Sequence, residues 1–266
     1  MKKTVEAFLK SADISSVSLL SYGRDLQSLS EHFTFDLDSV NREALVSFFH
    51  TASQKLSVSS FTRLVSVSRS YFSYLSEKGI LKENPMAEIR AKDFSQKEKP
   101  GLTQEECERL ISYSVPGFRG IRDRVMLSLL SETGIRVSEL VSLDRGDING
   151  NCLSCGESHH RRVLTLSPAL SRKVAEYMTV SALYLPDCSL SSPLFITAKG
   201  GRLTRQGFWK NLKDRAIYCG IDKPISPHAL RRFFAVKLLS EGKDREEVRQ
   251  KLGNADTASL RGYQQK

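Results

Sequence analysis

The sequence predicts a mainly α protein of two domains, the second a mixed α+β unit with a small antiparallel sheet. Three observations carry this. The first ninety residues read as helices only, with apolar side chains recurring at helical spacing. Residues 92–101, Lys-Asp-Phe-Ser-Gln-Lys-Glu-Lys-Pro-Gly, are charged, poor in large apolar side chains and closed by Pro-Gly, the composition of a linker. Asp147 to Leu166 reads as a β-region inside an otherwise helical second half. A chain of 266 residues is long enough for two cores. The predicted boundaries are 1–91 for a helical N-terminal domain, 92–101 for the linker and 102–266 for the second domain.

In the N-terminal domain, Leu20, Tyr22, Leu26 and Leu29 mark one amphipathic helix and Asn41 to Lys55 a second. A third spans Val58 to Lys78, where Phe61, Leu64, Val65, Ser68, Phe72 and Leu75 form one stripe ahead of Gly79. That stripe is read as core, which leaves the polar faces, with Lys55, Arg63 and Arg69, for a partner. Asn84-Pro85 ends the run, since the residue before proline avoids the helical region. The second domain opens on Thr103 as N-cap, with Glu106 completing a capping box. A helix around Arg122 to Ser131 buries Val125, Met126, Leu129 and Leu130 and stops at Gly134. Val163, Leu164 and Leu166 form the return strand of the β-region, with Gly156 to His160 at the hairpin tip. Leu194-Phe-Ile196 reads as a short strand and Lys199-Gly-Gly-Arg202 as a turn. Thr204 then caps a helix on which Phe208 and Trp209 are core anchors. Arg202, Arg205, Lys210 and Lys213 are left to contact phosphates.

The formal charge of +10 and a pI near 9.4 favour a polyanionic partner, nucleic acid foremost, although many basic proteins have none. No stretch reaches the ~18 apolar residues of a membrane span. The start, Met1-Lys-Lys-Thr-Val-Glu, lacks the apolar core of a secretory leader, so the expected location is the cytoplasm. Five cysteines without a regular framework are expected to be reduced thiols. Cys152-x-x-Cys155 followed by His159 and His160 raises a zinc reading. Neighbouring ligands on one short hairpin converge poorly on a tetrahedron, and no second knuckle follows. No metal is therefore expected, and the cysteines are read as small strand hydrophobes.

The densest chemistry lies in the last forty residues. Ser226-Pro227 reads as an N-cap with proline at the first helical position. His228 and Arg231, three apart, share one face near that helix's positive end, and Leu230, Phe234 and Leu238 supply its apolar face. Gly242 stops the helix; Asp244 with Glu247 then reads as a capping box for a second helix ending at Gly253. A third short helix, opened by Asp256 or Thr257, carries Tyr263. An imidazole, a guanidinium and a phenol in one neighbourhood suit attack on a phosphodiester.

Together, His228-Ala-Leu-Arg231, Leu252-Gly-Asn254 and Tyr263 resemble the C-terminal signature of the tyrosine recombinases, the phage-integrase and Xer family. Glu132-Thr-Gly-Ile-Arg136-Val-Ser-Glu139-Leu resembles the family's first-arginine box, and Leu203 to Trp209 a segment of Xer-type members. The N-terminal bundle resembles the family's SAM-like core-binding domain. The resemblance implies a site-specific DNA recombinase that cuts and rejoins strands through a 3′-phosphotyrosyl intermediate. On it, Tyr263 is the nucleophile, Arg136 and Arg231 hold the non-bridging oxygens, His228 assists proton transfer and Glu139 orients Arg136. It also implies no cofactor, double-stranded DNA as partner, and self-association on that DNA from dimer to tetramer.

Two positions depart from the family's pattern. Asn254 stands where the family has His or Trp; an amide still donates a hydrogen bond to phosphate but carries no charge. The hairpin lysine that protonates the leaving 5′ oxygen is missing. Counting back from the return strand puts Glu157 in its place, and counting forward from Arg136 puts His160 there. His160 is the expected replacement, with His159 second, because Arg161 and Arg162 hold their protons too tightly. The sequence ends at Lys266, where Xer-type members continue with a helix that docks on a neighbouring protomer, so assembly is expected to use another element or to be poor. Two further readings stand beside this one. A type IB topoisomerase shares the chemistry, but the helical N-terminal domain and the Xer-like segments disfavour it. A DNA-binding accessory protein that does not complete catalysis is favoured by the missing lysine and Asn254.

Overall fold

In the computed structural model, which describes residues 3–12, 16–33, 37–94, 101–113, 115–156, 161–185, 187–223 and 225–253, the N-terminal unit is built from four helices. These are α1 (Lys3–Ser11), α2 (Ser16–His32), α3 (Arg42–Lys55) and α4 (Val58–Glu77). Asn41 caps α3 by accepting from the Ala44 N–H at 2.9 Å, and Ser57 caps α4 by accepting from Ser60. The α4 stripe is buried as its spacing predicts, with Val67 and Tyr71 added to it. Gly79 ends the run at a φ of 70°. On α2 the apolar face begins later than expected: Leu26 and Leu29 are fully buried, but Leu20 is 64% exposed. Helix α1 is not anticipated by the sequence pattern, since it buries only Val5, Phe8 and Leu9; Phe8 meets Tyr71 edge-on at 5.5 Å. Ala91–Asp93 form a 3-10 turn, and Phe94 packs on Phe49 and Phe61, so the first residues of the predicted linker belong to this core. The chain divides into units 1–98 and 99–266.

The second unit is organised around a helix buried on every side. After α5 (Gln104–Ser112), whose Thr103–Glu106 capping box forms as expected, comes α6 (Gly117–Thr133). Every residue of α6 from Val125 to Ser131 is buried, because α5, α8 (Pro168–Ala182) and α10 (Pro227–Ser240) all pack against it. Between α6 and α8 lie α7 (Val137–Ser142) and a three-stranded antiparallel meander of β1 (Ile148–Asn149), β2 (Cys152–Cys155) and β3 (Arg162–Thr165). Leu153 pairs with Leu164 and Cys155 with Arg162. The chain continues through α9 (Arg205–Tyr218) and, after α10, α11 (Arg245–Leu252), which packs on α10 through Val248, Leu252, Phe234 and Leu238.

Two expectations are corrected here. Leu194–Ile196 is fully buried but is not a strand; the bridges Asp144–Pro193, just before it, and Ile196–Arg202 are isolated. The segments it bonds run at once into the 3-10 turn Arg145–Asp147 and into α9, too short to extend a ladder. Phe208 is a core anchor, but Trp209 is 44% exposed, with the Lys213 ammonium 3.9 Å from the centre of its ring. Three buried arginines that sequence reasoning did not single out hold this unit together. Arg145 donates to the Met178 carbonyl and the Ser181 hydroxyl at the end of α8, and Arg215 to the Leu110, Ile111 and Tyr113 carbonyls at the end of α5. Arg122 donates to the Ile196 carbonyl at 2.9 Å.

Gly134 turns the chain out of α6 at a φ of 63°, and a Cβ there would lie 2.4 Å from the Phe234 ring and 2.8 Å from Leu252. Gly134→Ala is therefore expected to lose stability twice, through the left-handed conformation (~1–2 kcal/mol) and through overlap (~1–3 kcal/mol). Gly242→Ala, at a φ of 79° with nothing within 4 Å, should show only the first loss. Equilibrium urea unfolding of the two variants measures the difference; equal losses would contradict the close approach at Gly134.

Candidate active site

The turn at Gly134 delivers Arg136 to the N-cap of α7. There the Arg136 backbone N–H donates to Glu139 Oε2 at 2.7 Å, the acidic half of a capping box, while its Nη1 donates to Oε1 at 3.2 Å. The pairing expected between Arg136 and Glu139 is thus present. A second guanidinium, unforeseen in this role, completes it: Arg162 Nη1 donates to Oε1 at 2.7 Å and Nη2 to Oε2 at 3.0 Å. Strand alternation put it there. Arg162, Leu164 and Leu166 share the inward face of the return strand, and Val163 points outward at 63% exposure. The signal was legible as parity along β3, but the apolar reading of that strand started one residue late.

Arg231 projects from the first turns of α10 and is buried, donating to the Gly134 carbonyl and, through Nη2, to the Leu252 carbonyl at 2.7 Å. Arg136 Nη2 donates to the next carbonyl, Gly253, at 2.5 Å. Two guanidiniums from separate helical segments, Arg136 at the start of α7 and Arg231 on α10, therefore meet on consecutive carbonyls at the C-terminus of α11, where orphan acceptors and the negative end of the helix favour cations. Helix α11 ends as expected, with Gly253 at a φ of 62°. Its start differs: Asp244 accepts from the Glu246 N–H at 2.9 Å, and Glu247 pairs with Lys251 at 3.0 Å instead of closing a capping box. Ser226 occupies the N-cap of α10, but its hydroxyl makes no capping bond.

The charges decide what this cluster can hold. Burial alone would raise the Glu139 carboxyl; the Arg162 hydrogen bonds, the Arg136 N–H and both guanidinium charges outweigh it and hold the carboxyl below its ordinary range. Three guanidiniums against one carboxylate leave the site positive, suited to an anion. His228 stands at the open side of α10. Partial loss of water around its ring, and then the charges of Arg231 and Arg136, lower its pKa and favour the neutral ring. Cys155 is buried in β2, and burial pushes its thiol up to about 11. Among the described residues no group of three or more His, Cys, Asp or Glu side chains could hold a metal ion.

Tyr263, Asn254 and the hairpin residues Glu157, His159 and His160 lie outside the described residues. Of the basic residues assigned to phosphate, Arg205, Lys210 and Lys213 are exposed on α9. Arg63 is exposed and paired with Asp25 at 2.7 Å. Arg69 donates to the Ile89 carbonyl, and Arg202 to the Val141 and Leu143 carbonyls and to Asp144, so both serve the protein's own backbone.

The sequence profile of the phage integrase family matches residues 100–266, and that of the phage integrase N-terminal SAM-like domain matches residues 5–79. The tyrosine recombinase XerD of Oceanobacillus iheyensis is 32% identical over 260 residues, covering 94% of this chain and 88% of that protein. The tyrosine recombinase XerC of Roseiflexus castenholzii is 31% identical over 279 residues, covering 99% and 88%. A lambda integrase dimer bound to a COC′ core site superposes with a TM-score of 0.76 at 16% identity, covering all of this chain and 95% of that one. The XerH site-specific recombinase bound to its palindromic difH substrate, a post-cleavage complex, gives 0.71 at 21% identity, covering 97% and 79%.

An NMR titration of the His228 ring is expected to give a midpoint below the usual ~6.5, and Arg136→Gln should raise it by removing one of the repelling charges. The sign for stability follows. The unfolded chain takes this proton first, so the contribution of neutral His228 is complete above the unfolded value and is lost as pH falls below it. A midpoint above the ordinary value would contradict the electrostatics of the site.

Proposed function

The chain belongs to the phage integrase family, and from that premise we propose that it is a tyrosine-type site-specific recombinase of double-stranded DNA. It cuts and rejoins strands through a 3′-phosphotyrosyl intermediate. The observation that supports this most is the meeting of Arg136 and Arg231 on the consecutive carbonyls of Leu252 and Gly253. Each guanidinium presents its N–H groups in a planar fork, the geometry that matches two non-bridging phosphate oxygens. Stabilising the charge that builds there is worth ~10²–10³ in rate per donor. Tyr263 attacks the phosphorus and the 5′ oxygen departs; neutral His228 takes the phenolic proton. The phosphotyrosyl bond keeps the energy of the broken ester, so religation needs no nucleotide. Asn254, next after Gly253, donates an uncharged hydrogen bond to the same phosphate.

Arg205, Lys210 and Lys213 carry phosphate contacts from α9, and Arg63 carries them from the N-terminal unit. The lambda integrase and XerH structures hold DNA, the former as a dimer, which supports DNA as the partner here and self-association upon it. No described helix is long and apolar enough to cross a membrane, and the cytoplasm is the compartment that offers the substrate.

The test is covalent trapping on a nicked suicide duplex. The wild-type chain should form a protein–DNA adduct, and Tyr263→Phe should form none while binding the duplex with nearly unchanged affinity. An adduct in Tyr263→Phe would remove the nucleophile, and none in the wild type would favour a DNA-binding accessory role.

The hairpin generates a second test. If His160 protonates the 5′ oxygen, His160→Ala should cleave ordinary DNA slowly and be restored on a substrate whose 5′-bridging oxygen is sulfur, since a thiolate leaves without a proton. Equal impairment on both substrates would rule out the general-acid role.

A further inference from the structure

We propose that Arg162 is a positioning residue that fixes the Arg136 guanidinium through the Glu139 carboxylate and ties the β2–β3 hairpin to the phosphate site. The proposal rests on the recombinase reading. Its ground is the bonding of Glu139, in which each oxygen accepts once from each arginine. Oε1 takes Arg162 Nη1 at 2.7 Å and Arg136 Nη1 at 3.2 Å; Oε2 takes Arg162 Nη2 at 3.0 Å and the Arg136 backbone N–H at 2.7 Å. The Arg162 bonds are parallel and bidentate, the arrangement that sets the plane and angle of a carboxylate. Without them the carboxylate is free to turn about its χ3, and the longer bond to Arg136 Nη1 no longer defines where that guanidinium lies.

A second contact joins the same side chain to the far edge of the site. A Cβ at Gly253 would fall 2.8 Å from Arg162 Nη1 and 3.0 Å from its Cζ, so the guanidinium rests against Gly253, whose carbonyl receives Arg136 Nη2. Arg162 thus supports Arg136 from two sides and seats the residue that precedes Asn254. It is also the first paired residue of β3, opposite Cys155, so it stands where the strand begins after the hairpin turn.

Stability does not account for it. Side chains exposed by 13% and 11% are taken from water to make the pair, and such pairs rarely repay that cost. Arg162 Nε is moreover buried with no acceptor among the described residues. Nor does proton transfer, since Glu139 outweighs the effect of burial and raises the Arg162 pKa, so the guanidinium does not release its proton.

Single-turnover adduct formation by the full chain decides the matter, using Arg162→Ala and the volume-keeping Arg162→Met. Both variants should slow cleavage by up to ~10²-fold, the usual effect of displacing a reacting group by about an ångström, with DNA affinity unchanged. The defect should persist on the 5′-bridging sulfur substrate. It should shrink to within a few-fold of wild type when one non-bridging oxygen is replaced by methyl, because that phosphate no longer carries the charge Arg136 balances. Glu139→Gln combined with Arg162→Met should be no slower than the worse single variant. A defect of the same size on the methyl-substituted substrate means merely structural damage and overturns the proposal, as does a wild-type rate in Arg162→Met. If the wild-type chain forms no adduct on the unmodified duplex, the recombinase reading itself falls.

Discussion

An ionised carboxylate with its side chain 11% exposed survives in a protein interior only if nearly every lone pair is met, and for Glu139 four donors from two arginines do this. Much of the second unit is arranged to supply them. Gly134 sets the angle at which α7 leaves α6, so that the Arg136 N–H points back at its own third residue. The meander brings an inward-facing arginine up to the same carboxylate from a strand ending more than twenty residues later. The C-terminus of α11 closes the third side with two carbonyls that need donors.

The same logic recurs away from the site. Helices α5, α8 and α11 each end in carbonyls that their own backbone leaves unpaired, and each end is met by a buried or half-buried arginine: Arg215, Arg145, and Arg231 with Arg136. Arg202 does likewise for the carbonyls of Val141 and Leu143. A formal charge of +10 suggests a basic exterior, yet a share of it is interior mortar. The charge left at the surface is consequently less than the total implies, and Arg205, Lys210 and Lys213 on α9 carry part of it.

What the sequence made legible was chiefly local. Caps at Thr103 and Thr204 depend on neighbours three residues away, and the α4 stripe depends only on its own spacing. Arg136, Glu139, His228 and Arg231 were readable because their motifs bring them together in a known pattern. The misses share a nonlocal cause. Helix α1 buries too few apolar residues to announce itself, and Leu194–Ile196 has strand composition but no strand beside it. Trp209 is held outside the core by its place on α9 and by the Lys213 ammonium over its ring. Arg162 was seen as a charge near a hairpin, whereas its partner lies across the fold on α7.

Both arginines reach the end of α11 through main-chain oxygens. Its sequence is therefore free to drift at Arg249, Gln250 and Lys251, whose identities those carbonyls do not report. Its length is not. One inserted or deleted residue would turn the terminal carbonyls by about 100° and shift them by ~1.5 Å, taking both acceptors away from their guanidiniums at once. Helix α11 works as a ruler, tolerant of substitution and intolerant of any change in the number of its residues.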